Sequence, residues 1–152
     1  MRKLLCFTLL LAGYLAGQGS PADSVFYQPV SVQYVFHESL AGASTKKVVV
    51  DYNGVVYVLT DKGVGRVFEK KIIKDMLYRP LQDRIPNDIA VQSGTGVLYY
   101  LYDDVILSNA RAGTISIPVP STDFTLLSVL ENGSVLLAAK NKVMVYQAEK
   151  WK

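Results

Sequence analysis

The chain has 152 residues, half of them apolar and about a fifth charged, with a net charge of +3. That is enough for one domain with a sizeable core, and it excludes a disordered chain. The charge is too small and too dispersed for nucleic-acid binding, because Lys46-Lys47 and Lys70-Lys71 are isolated pairs with no basic stripe.

The first 22 residues have the layout of a signal peptide. Arg2 and Lys3 form a basic start, residues 4–16 are uncharged and apolar, and Gly17, Gly19 and Ala22 supply small residues near a cleavage point. The apolar run is about 13 residues, short of the roughly 20 that cross a bilayer, so the mature chain is expected to carry no integral membrane segment. Gln18 follows Gly17 where a lipoprotein would place a cysteine. The expected location is periplasmic or extracellular. The only cysteine, Cys6, lies inside the leader, so the mature chain would have no thiol for a disulfide, a thiolate metal site or a nucleophile. Removing Arg2 and Lys3 lowers the 16 basic residues to 14, against 13 acidic ones, and brings the mature part close to neutral.

From residue 25 onward, short segments rich in Val, Ile, Leu and Tyr alternate with turn residues, the pattern of strands and hairpins. Residues 25–36 alternate loosely, and Pro29 divides them or places them at a sheet edge. Residues 37–45 read as a loop. Residues 47–51 form a strand, Asn53-Gly54 a type I′ hairpin signal, residues 55–60 the return strand, and residues 61–63 a second turn ending at Gly63. Residues 65–68 form a third strand.

The pattern recurs twice. Residues 88–92 and 97–102 flank a turn ending at Gly96, and Asp103-Asp104 leads into residues 105–108. Residues 124–130 and 134–139 flank Asn132-Gly133, and residues 140–142 lead into residues 143–146. The hairpin glycines Gly54, Gly96 and Gly133 are 42 and 37 residues apart. Residues 71–78 and 113–119 supply a fourth strand to the first two units. The third has none in sequence before Lys152, and residues 30–36 are available to complete it. Antiparallel four-stranded units repeating about every 40 residues predict an all-β fold of small or partial β-propeller type, because one such sheet buries its faces only by stacking on others. A β-sandwich or barrel is the alternative.

Residues 51–64 read DYNGVVYVLTDKGV. The stretch resembles the two-component-regulator propeller repeat of bacterial periplasmic sensor domains, D-x-x-G-x-L-W-x-G-T-x-x-G-L. Asp51, Gly54, Thr60 and Gly63 fall on the pattern, Tyr57 takes the Trp position, Val64 the final Leu position, and Leu59 departs from Gly. In the other units Tyr99 and Leu136 occupy the Trp position, and Tyr102 and Ala139 the Thr position. Residues 84–89 are similar to the family's approach to a new blade. The resemblance implies a divergent propeller and a sensing or binding role. Closed propellers have about four to eight blades, and residues 25–152 have room for about three. The chain is then a piece of a longer propeller, closes on itself, or pairs with a copy through open sheet edges.

Chemistry-bearing residues are sparse. His37 with Ser39 or Ser44 lacks the setting of a nucleophile elbow. Asp103-Asp104, or Asp51 with Asn53, offers too few oxygens for Ca²⁺. The scattered Asp and Glu residues single out no glycosidase pair. Gly63-Val64-Gly65 lacks the third glycine and following helix of a phosphate loop. Asn132-Gly133-Ser134 matches a glycosylation sequon, but a tight hairpin behind a bacterial-looking leader reads as turn chemistry. No catalytic, metal or cofactor residue is therefore expected. Tyr57, Tyr99, Tyr100 and Tyr102 are the candidate platform for a carbohydrate or protein ligand, with packing between sheets as the competing role. Period-two geometry puts Tyr100 and Tyr102 on one face and Tyr99 on the other. The expectation is an exported, non-enzymatic binding or sensing module. An exported glycan-active hydrolase or lyase on the same scaffold and a structural cell-envelope protein are the alternatives.

Overall fold

Turn chemistry divides the chain into hairpins, and the hairpins assemble into three sheets, antiparallel except for one short parallel pair in the first. The computed structural model describes residues 32–75, 84–110 and 113–152; the leader, Cys6 and Pro29 lie outside them. In chain order the first sheet contains β1 (Val35–Phe36), a short 3-10 helix (Glu38–Leu40), β2 (Thr45–Val50), β3 (Val56–Thr60), β4 (Gly63–Phe68) and β5 (Lys71–Lys74), with strand order β1-β5-β4-β3-β2. The second contains β6 (Asp88–Val91), β7 (Leu98–Leu101), β8 (Val105–Ser108) and β9 (Ser116–Pro118), in that order. The third contains β10 (Leu126–Val129), β11 (Val135–Ala139), β12 (Lys142–Gln147) and β13 (Lys150–Trp151), also in that order. Apart from Val32, the described residues belong to one compact unit, Gln33–Lys152.

The type I′ turn expected at Asn53-Gly54 is replaced by a different hairpin, which the turn at Asn132-Gly133 shares. Gly54 and Gly133 have φ of +79° and +82°, but Asn53 and Asn132 are not among the non-glycine residues with positive φ. Gly54 N–H donates to Asp51 C=O and Gly133 N–H to Leu130 C=O, so each loop has three residues with only the last one left-handed. Asp51 Oδ1 accepts from the N–H groups of Asn53 and Val55 at 2.9 and 2.8 Å, which fixes the first of these turns. In the second unit the loop is one residue longer, closed by Gly96 N–H to Gln92 C=O.

The third unit also differs from expectation. Its fourth strand is β13, which pairs with β12, whereas Val35–Phe36 pairs in parallel with β5 of the first sheet. The chain reverses into β13 through Ala148 and Glu149, both at positive φ (50° and 59°), a turn that no glycine announces. The segment read as a loop, residues 37–45, holds the 3-10 turn and begins β2. It also buries Leu40 completely, against Val58 and Ile72, with Phe36, Ala43, Val56 and Val67 around them.

Strand register makes the three sheets equivalent. Val49, Tyr57 and Arg66 stand side by side in the first sheet, Ala90, Tyr99 and Ser108 in the second, and Ser128, Leu136 and Val145 in the third. One step along are Lys47, Leu59 and Val64; then Asp88, Leu101 and Ile106; then Leu126, Ala138 and Val143. Side chains at these registers share one face of each sheet. That face of the first sheet packs on Ile89, Leu98, Tyr100 and Leu107 of the second. The same face of the second sheet packs on Phe124, Leu127, Val129, Val135 and Leu137 of the third. Each fully buried Leu, Ile or Phe contributes about 1.5–3 kcal/mol, so these two interfaces are the core. The innermost strand β6 lies between β2 and β10.

Candidate functional site at the charged ends of the strands

The four tyrosines singled out from the sequence are enclosed. Tyr57, Tyr100 and Tyr102 are buried between the first and second sheets, and Tyr99 is buried between the second and third. A platform for a ligand needs an open aromatic face, and these rings have given theirs to the neighbouring sheet. Burial, with the charges of Asp51 and Asp75 behind it, pushes the Tyr57 hydroxyl above its ordinary pKa, and burial alone does so for Tyr99.

The hairpin turns lie at the end of the strands where adjacent units brace each other. Gly54, Gly96 and Gly133 take the left-handed conformation there. A Cβ on Gly96 would come within 2.9 Å of Tyr52 Cε1, so the Tyr52 ring of the first unit rests on the second unit's turn. Gln92 Nε2 donates at 3.0 Å to the Glu131 carbonyl of the third. Gly63 lies at the opposite end, where the buried Thr60 hydroxyl donates to its carbonyl at 2.7 Å.

That opposite end is polar. Its inner part is a junction of three strands. Lys47 Nζ on β2 lies 2.8 Å from Asp88 Oδ1 on β6, and Asp88 Oδ2 accepts at 2.7 Å from Leu127 N–H on β10. The Asp88 side chain is 4% exposed. Its outer part is open. Arg84 meets Asp104 with two contacts, 2.6 Å from Nη2 to Oδ1 and 3.4 Å from Nη1 to Oδ2. The guanidinium lies 4.8 Å from the centroid of the Tyr102 ring. Asn87 Nδ2 donates at 2.6 Å to Asp103 Oδ1. The hydrogen bonds from Arg84 hold the exposed Asp104 carboxyl below its usual range. Sequence reading picked out Asp103-Asp104 only as a poor calcium site and residues 84–89 only as the approach to a new unit. It brought neither Arg84 nor Asn87 to the acids, which lie 20 and 16 residues further along.

The other candidates stay local. His37 Nδ1 accepts from Ser39 N–H at 3.4 Å within one turn, and Ser39 Oγ also accepts from Lys74 N–H. Ser44 N–H donates to Asp61 Oδ1. Ser134 N–H donates to Asn132 Oδ1, which engages the sequon asparagine in its own turn. Among the described residues, no three His, Cys, Asp or Glu side chains converge as a metal site would require. No helix among them is long and apolar enough to cross a membrane.

No family model and no curated relative matches the chain. Two solved structures share its fold. One is a catalytically inactive virginiamycin B lyase from Staphylococcus aureus with quinupristin, 12% identical, TM-score 0.52, matched over 71% of this chain and 40% of that one. The other is the extracellular domain of a candidate one-component system from B. thetaiotaomicron, 18% identical, TM-score 0.53, matched over 76% of this chain and 16% of that one. At these identities the likeness is one of fold. Both are propeller-type folds, so the three stacked sheets are propeller-like. The chain spans less than half the length of either neighbour.

Proposed function

We propose that this chain is an exported, non-enzymatic propeller-type module that binds a carbohydrate or protein ligand as part of a sensing apparatus. It would be led to the periplasm or cell exterior by residues 1–22. The observation that carries the reading is the exposed polar group Arg84, Asn87, Asp103 and Asp104 at one end of the second sheet, set above the buried Tyr102 ring. A paired guanidinium and carboxylate offer both donors and acceptors to hydroxyls or peptide groups, and a rigid sheet holds them. The sensor-type repeat resemblance around residues 51–64 and the fold shared with an extracellular domain support it. The fold shared with a lyase is the observation behind the second reading, an exported glycan-active hydrolase or lyase. On that reading catalytic groups would join the same polar end.

The test is a thermal-shift screen of the chain against oligosaccharides and peptides, followed by calorimetry of any hit. A hit should be weakened at least about tenfold by Arg84→Ala or Asp103→Ala, the loss of one charge-assisted hydrogen bond in a site. A hit indifferent to both substitutions would sink the assignment. Mass spectrometry of the incubated glycans separates binding from cleavage, and the intact mass of exported protein tests the leader.

A further inference from the structure

The hairpin end of the first sheet presents the open aromatic ring that the four enclosed tyrosines lack: Tyr52 is 63% exposed. One edge of the ring is held in place. A Cβ on Gly96 would lie 2.9 Å from Tyr52 Cε1 and 3.4 Å from Asp51 Oδ2, so the ring edge, that oxygen and the second unit's turn converge on one point. Asp51 is only 9% exposed. Its Oδ1 is committed to the N–H groups of Asn53 and Val55, and its Oδ2 accepts no hydrogen bond among the described residues. Ser93, Gly94 and Thr95, beside Gly96, are small and exposed, so that turn brings no bulky side chain over the ring. The turn itself does not require these groups. The third unit forms the same turn, its Leu130 bonded to Ser134 and Gly133 as Asp51 is to Val55 and Gly54. Leu130 and Glu131 stand there in the places of Asp51 and Tyr52. In the second unit Gln92 holds the corresponding place and gives its side chain to the Glu131 carbonyl. Among the three units, only the first joins an open ring to an acceptor that still lacks a donor.

We infer that Asp51, Tyr52 and the Gly96 turn form a binding site for an uncharged pyranose sugar, separate from the polar group at Arg84 and at the opposite end of the strands. A pyranose has a flat C–H face rimmed by hydroxyls. The C–H face stacks on the open side of the Tyr52 ring, and a hydroxyl at its rim donates to Asp51 Oδ2. A hydrogen bond to an ionised acceptor is about twice as strong as a neutral one. Two backbone N–H groups already orient this carboxylate and burial has already stripped most of its water, so little freedom is lost on binding. An aromatic ring beside a carboxylate also suits an ammonium ion. Such ions are taken up by cages of several rings, however, and this site offers one ring, which matches one sugar face.

Amide NMR titration of the isotope-labelled chain with cellotriose, maltotriose and mannotriose, and with trilysine as the cationic comparison, tests this. At least one trisaccharide should shift the Asn53 and Gly96 signals, with a Kd of about 1–10 mM. Tyr52→Ala, at an exposed position, should weaken that binding at least about tenfold, and Tyr52→Phe, which keeps the ring, should leave it within about twofold. Asp51→Asn keeps Oδ1 for the turn and replaces the acceptor Oδ2 by a donor, so it should weaken binding at least about fivefold. Arg84→Ala should leave it unchanged, which separates this site from the polar end. The absence of a shift with all three trisaccharides would overturn the inference. So would binding that survives Tyr52→Ala, binding lost in Arg84→Ala, or a tighter response to trilysine than to any of the sugars.

Discussion

Asp88→Ala removes the acceptor at the junction of the three inner strands. The carboxylate accepts from Ile89 N–H at 2.8 Å and Leu127 N–H at 2.7 Å, and it holds the Lys47 ammonium at 2.8 Å. Alanine strands the buried Leu127 N–H, at a cost of about 1–3 kcal/mol. Lys47 is 34% exposed and regains water, so the roughly 3–5 kcal/mol of a fully stranded buried charge does not apply, and about 1 kcal/mol is added. The expected loss is about 2–4 kcal/mol, a large part of the roughly 5–15 kcal/mol typical of a domain. Asp88→Asn keeps one carbonyl oxygen for the backbone donors and should cost about half as much. A cycle with Lys47→Met should give a coupling of about 1–2 kcal/mol. Urea unfolding followed by fluorescence of the single tryptophan is the assay. Trp151 donates its indole N–H to the Pro118 carbonyl and therefore reports on the contact between the second and third sheets. A loss below about 1 kcal/mol for alanine, or an asparagine variant as unstable as the alanine one, would refute the reasoning.

Two further outcomes follow from packing and ionisation. Gly65→Ala should destabilise by about 1–3 kcal/mol in a thermal melt, because its Cβ would lie 2.7 Å from Ile72 Cγ2, 2.8 Å from Leu40 Cδ1 and 3.3 Å from the Ile73 carbonyl. The raised folded-state pKa of Tyr57 and Tyr99 means that the native state holds these protons more tightly than the unfolded chain. Their contribution is complete below the unfolded value of about 10 and is lost as pH rises through the folded value. Alkaline titration by near-UV absorbance should show both ionising with unfolding, and Tyr57→Phe should reduce the loss of stability above that pH.

Hairpins were legible in the sequence because their signals are local. Gly54, Gly96 and Gly133 mark turns wherever the rest of the chain goes, and the period-two pattern correctly separates Tyr99 from Tyr100 and Tyr102. The turn type was not legible, since Asn-Gly fits both a two-residue and a three-residue loop and the ladder decides between them. The β13 strand was hidden by a reversal through Ala148 and Glu149, residues with no turn preference that pairing to β12 holds at positive φ. Leu40 looked like loop because its burial comes from β3 and β5, not from its neighbours in sequence. The polar group at Arg84 was invisible for the same reason: its members meet only after β6, β7 and β8 have paired.

The two ends of the strands are consequently under different constraints. At the hairpin end, Tyr52 on Gly96 and Gln92 on Glu131 join one unit to the next, so a substitution there is transmitted to a neighbouring sheet. At the other end the inner junction of Lys47, Asp88 and Leu127 performs that joining beneath the surface. Asp103 and Asp104 sit on a short turn between two buried strands, where Arg84 and Asn87 meet them. A rigid base beneath exposed polar side chains is an arrangement in which recognition can change at little cost to the fold. The proposed binding role therefore rests on this end, since Tyr57, Tyr99, Tyr100 and Tyr102 are buried between the sheets.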